Sequence, residues 1–82
     1  MAAVTYYVAL PFVISEDGPM PGEPVECQSA NSAKATARAL SHNSANVGAV
    51  AFQRTGDPDE GEFADAEIIE RFGQTPSDLS AL

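Results

Sequence analysis

From Val4 to Ser15 the chain reads Val-Thr-Tyr-Tyr-Val-Ala-Leu-Pro-Phe-Val-Ile-Ser, and its β-branched, aromatic and aliphatic residues fall on odd and even positions alike. Because a strand has a two-residue period, the run predicts a long strand that is apolar on both faces. Val4, Tyr6, Val8 and Leu10 lie on one side, with Tyr7, Ala9 and Val13 on the other. Both faces need cover. With 82 residues the chain makes one domain at most, near the size where a single core only just offsets the entropy of ordering. Pro11 lacks an N–H, so the strand is expected to bulge there or to lie on a free edge.

Glu16-Asp17-Gly18-Pro19 and Pro21-Gly22 mark turns, after which Pro24 to Gln28 returns as a second, shorter strand. One helix is expected from about Asn31 to His42, opened by Ser29 or Asn31 as N-cap and rich in alanine. Ala33, Ala37 and Leu40 share one stripe that can lie close to a sheet, and Lys34 and Arg38 give the helix a basic flank. Asn43 to Asn46 end it. Val47 to Arg54 and Glu62 to Glu70 read as two further strands framing a turn; helix is the competing state for 64–72, and the flanking turn signals favour strand. The fold expected is therefore α+β, a small antiparallel sheet of three or four strands with one Ala-rich helix packed on one face, in the order β-(β)-α-β-β. It spans residues 1–73, and 74–82 form an irregular C-terminal tail.

Charge narrows the partners. Twelve acidic residues against four basic give a formal net charge of -8, which argues against nucleic acid or an anionic membrane as a direct partner and for a protein with a basic surface. Seven carboxylates and no Lys or Arg lie between Gly56 and Glu70, beginning at the turn Thr55 to Glu62. On the strand that follows, period-two counting puts Phe63, Asp65, Glu67 and Ile69 on one face and Ala64, Ala66 and Ile68 on the other. A single cysteine, Cys27, forms no internal disulfide. The apolar stretch Ala2 to Ile14 has no basic residue before it, contains Pro11 and is too short to span a bilayer, so a cytoplasmic protein is expected.

No residue set spells out a reaction. Cys27 precedes the helix and His42 ends it; about twelve residues at about 1.5 Å each separate the helix ends by about 18 Å, so the two cannot act as nucleophile and base unless the loop before the helix folds back along it. Asp57, Asp59, Glu60 and Glu62 are hard oxygen ligands, but Gly61 falls fifth and Ile68 twelfth counted from Asp57, which breaks the register of a calcium loop. One Cys and one His do not make a zinc site. Gly56, Gly61 and Gly73 do not build a phosphate-binding loop. The expectation is a protein without catalytic residues, cofactor or metal.

Gly48 to Pro58, followed by Gly61-Glu62-Phe63 and Glu70-Arg71-Phe72-Gly73, resembles a group of short, uncharacterised alphaproteobacterial proteins. That resemblance implies a compact bacterial cytoplasmic protein and no activity. Two functions are open. One is an interaction or regulatory module whose surface is formed by Asp57, Asp59, Glu60, Glu62, Phe63, Asp65, Glu67 and Ile69, charge steering the encounter and apolar atoms holding it. The other is an acidic inhibitor presenting carboxylates in place of phosphates, as anti-CRISPR proteins and DNA mimics do. A homodimer is also expected, because one Ala-lined helix covers one sheet face only; Tyr6 or Tyr7 are its candidate contacts.

Overall fold

The computed structural model describes residues 3–57 and 59–76. Six strand segments and one helix follow in the order β1 (Val4–Ser15), β2 (Gly18–Pro21), β3 (Val25–Cys27), α1 (Ala30–Ser41), β4 (Gly48–Asp57), β5 (Glu62–Phe63) and β6 (Glu67–Gly73). All pairings are antiparallel. The two long strands β1 and β4 pair along Val4↔Gly56 to Phe12↔Gly48 and form the centre. β2 and β3 share the outer edge of β1, and β5 and β6 share the outer edge of β4. The sheet is thus four strands wide, with one helix on one face: an α+β fold.

β1 is an inner strand, contrary to the edge or bulge that Pro11 suggested. The reason lies in its outer edge: β3 covers Tyr7 to Ala9 and β2 covers Phe12 to Ser15, so the missing donor of Pro11 falls in the gap between them. There its carbonyl accepts from the N–H of Gly22 at 2.8 Å, and the residue is buried.

The helix begins at Ser29, whose Oγ accepts from the N–H of Ser32 at 3.0 Å. His42 closes it, and Asn46 Nδ2 donates to the carbonyl of Leu40 at 3.0 Å. Ala33 and Ala37 pack without exposure against Ala9, Ala49 and Ala51, with Tyr7, Cys27, Leu40, Ile69 and Phe72 around them. An interface floored by methyl groups lets helix and sheet approach closely, which leaves little apolar area per residue buried there. A second cluster holds the opposite face: Leu10, Phe12 and Val50 are buried within the single chain, with Val47 and Phe52 beside them. That corrects the expectation of a bare second face. Residues 77–82, including Leu79 and Leu82, lie outside the described residues.

The expected strand Glu62 to Glu70 is two segments. The chain leaves strand geometry at 64–66, and a β-bulge opposite Ala51 and Phe52 makes Ile69 an extra residue between the pairs Ala51↔Glu70 and Phe52↔Ile68. Among the described residues no helix is long and apolar enough to cross a membrane.

Candidate functional site

The register sorts the side chains of the predicted surface. Even-numbered residues of β1 and β4 share the face away from the helix, since Leu10, Phe12, Val50 and Phe52 form one cluster there. Tyr6 pairs with Arg54, and Gly56 with both Val4 and Phe63, so these residues continue that face toward the acidic turn. Tyr6 and Phe63 meet with ring centroids 5.8 Å apart and planes tilted by 50°, a geometry favoured by the ring quadrupoles. Gly56, between Val4 and Phe63, adds no side chain to the patch.

Three of the exposed large apolar side chains lie on this face near the turn, while Ile14, Met20 and Val25 are exposed elsewhere. Phe63 is 43% exposed, Val4 38% and Ile68 37%, while Tyr6, Val8 and Phe52 are half-buried. Arg54 is half-buried among them, and its Nε has no hydrogen-bond partner among the described residues.

The acids form a rim. Asp57 is half-buried and builds the turn: its Oδ1 accepts from the N–H of Asp59 at 2.9 Å and its carbonyl from Gly61 at 2.9 Å. Gly61 takes φ 71°, a conformation that suits a residue without Cβ. Asp59, Glu60 and Asp65 are exposed. The side chain of Glu62 lies outside the described residues.

Two members of the predicted face sit elsewhere. Ile69, the bulge residue, packs against the alanines under the helix. Glu67 pairs with Gln53, whose Nε2 donates to its carboxylate at 3.0 Å, in register with Tyr7 on the helix side. Period-two counting failed because the break at 64–66 and the bulge each reset the parity. Tyr7 likewise packs against the helix-side cluster, leaving Tyr6 on the open face. Val4, Phe52, Arg54 and Ile68 were missed as members of the patch. The two-residue period puts Val4 on one face of β1 and Phe52 and Arg54 on one face of β4, but uniting them with one another and with Ile68 requires the β1–β4 and β4–β6 registers.

Other chemistry finds no geometry. Cys27 is half-buried against the alanine cluster and its thiol donates weakly to the carbonyl of Val25 at 3.6 Å. Among the described residues no three His, Cys, Asp or Glu side chains are placed to hold a metal ion. No protein-family model, curated protein or solved structure matches the chain.

Proposed function

We propose that the protein is a small interaction module that binds the basic, partly apolar surface of another protein through the open face around Tyr6 and Phe63. What supports the reading is one juxtaposition: the pair of half-buried Tyr6 and exposed Phe63 stands at the base of a turn whose carboxylates Asp59 and Glu60 are in solvent. An apolar centre with a charged rim is the anatomy of a transient interface. Carboxylates at the rim speed encounter with a cationic partner, and the aromatic area slows its release. The nucleic-acid-mimic reading draws no comparable support, since a mimic spreads carboxylates where phosphates would stand, whereas here the exposed acids rim an apolar centre of Val4, Phe63 and Ile68.

The two contributions separate by salt. Titration with a short peptide alternating Arg and Trp is expected to show affinity that falls as salt rises. Phe63→Ala should weaken it about tenfold at every salt, as loss of an aromatic anchor does. The double change Asp59→Asn and Glu60→Gln should weaken it at low salt only. Unchanged binding by the Phe63 variant would reject this face as the contact.

A further inference from the structure

A second recess lies on the other side of the molecule, between α1 and β6. It is an open pocket of about 270 Å³ lined by Lys34, Ala35 and Arg38 from the helix and by Glu70 and Phe72 from the strand. Half of the four basic residues of an otherwise acidic chain are therefore gathered in one place. Against them stands one carboxylate, so two cations leave one positive charge for a ligand to neutralise. Phe72 is half-buried and supplies an aromatic wall.

The neighbouring strand edge makes this more than a basic patch. The two edges of the sheet differ. On the β2/β3 side, Pro19 and Pro21 remove backbone donors, and the segments are short and interrupted at 22–24, devices that block further pairing. On the other side β6 has no proline or lysine, and its bulge at Ile69 leaves Glu70–Gly73 as the regular stretch, with β4 the only strand partner among the described residues. Alternate N–H and C=O groups along the outer side of that stretch thus have no strand partner among the described residues. Glu70 and Phe72 are two residues apart and pair with Ala51 and Ala49 beneath the helix. A strand added beside β6 would place its own alternate side chains along the same recess.

We propose that the groove between α1 and the outer edge of β6 takes an extended segment of a partner protein as an added strand, with an acidic side chain of that segment against Lys34 and Arg38 and an apolar side chain two residues away on Phe72. Main-chain hydrogen bonds to β6 give the affinity, and the alternating side-chain contacts give the selection. Lys34 and Arg38 stand four residues apart on one helix face and both line the recess, so a single carboxylate can meet the two of them. The surface is separate from the open face around Phe63, so the two proposals stand or fall independently.

The probe is a set of short acetylated and amidated peptides on a Thr/Val background, carrying Glu and Leu two residues apart in either order. Fluorescence anisotropy is expected to show one order bound, with about tenfold loss when its Glu is replaced by Gln, the change expected for one charge-assisted contact. Arg38→Glu, at an exposed helix position, should abolish binding while melting near the wild type; Lys34→Gln serves as the milder variant. Backbone N-methylation at alternate peptide residues should abolish binding at one parity and be tolerated at the other, the signature of a strand that bonds on one edge. No saturable binding by either order, equal binding of the Gln peptide, or indifference to N-methylation at both parities would each overturn the proposal. So would protection of the β6 amides from hydrogen exchange by self-association without peptide.

Discussion

Gly48 is held where no larger residue fits. A Cβ added there would overlap the backbone of Gln74 and come within 2.6 Å of the Phe72 carbonyl oxygen, because Gly48 faces Gly73 across the β4–β6 pair while Gln74 donates to the Val47 carbonyl. Backbone cannot swing aside as the end of a flexible side chain can. Gly48→Ala is therefore expected to cost on the order of 3 kcal/mol or more, a melting-temperature fall of roughly 12 °C or more for a domain of this size. Gly18 is the control: it has φ 103° but open space around a Cβ, so Gly18→Ala should cost only the backbone strain, about 1–2 kcal/mol. Thermal denaturation followed by circular dichroism distinguishes them, and equal losses would reject the steric account of Gly48. Little of this was legible beforehand. The glycine of Val47-Gly48-Ala49 reads as an ordinary strand residue until the return of the chain at Gly73-Gln74 is known.

At the scale of elements, the bounds of β1 followed from its unbroken run of β-branched, aromatic and aliphatic residues, and the stripe Ala33, Ala37 and Leu40 from helical periodicity, which matches the packing it produces. β2 was missed since Gly18-Pro19-Met20-Pro21 reads as turn, and only pairing along an edge of β1 makes it a strand. Strand was favoured over helix in 64–72, and β6 is a strand; its faces were misassigned because a bulge leaves no mark in composition. The alanine floor carries the prediction at this scale. Ala37→Leu must push the helix off Ala9, Ala49 and Ala51 and should destabilise by about 1–3 kcal/mol. Ala39→Leu, exposed on the same helix, should stay within about 0.5 kcal/mol of wild type. Urea denaturation of both variants provides the check; a neutral Ala37→Leu would mean that the helix–sheet spacing has slack.

For the whole molecule, with principal-axis extents of 42 × 25 × 17 Å, the question is how it meets other copies of itself. The case for a homodimer began from an uncovered face, and half of that case has gone, since Leu10, Phe12 and Val50 are already buried in one chain. What remains is the end of the face near the acidic turn, where Val4, Tyr6, Phe63 and Ile68 present their apolar area. Two copies meeting there would bring carboxylate rims together, each chain carrying -8. Burial of the aromatic area favours the pair and charge opposes it, and salt weakens only the opposition, over distances beyond about 8 Å at physiological strength. Self-association should accordingly strengthen as salt rises, opposite in sign to the binding of a basic partner by the same residues. Light scattering at micromolar concentration is expected to give a monomer mass at low salt and a dimer mass at high salt, with Phe63→Ser monomeric in both. A monomer mass for the wild type at both salts would reject the dimer and leave this face to other proteins, whereas a dimer unaffected by Phe63→Ser would move the contact elsewhere, with the β6 edge the next surface to test.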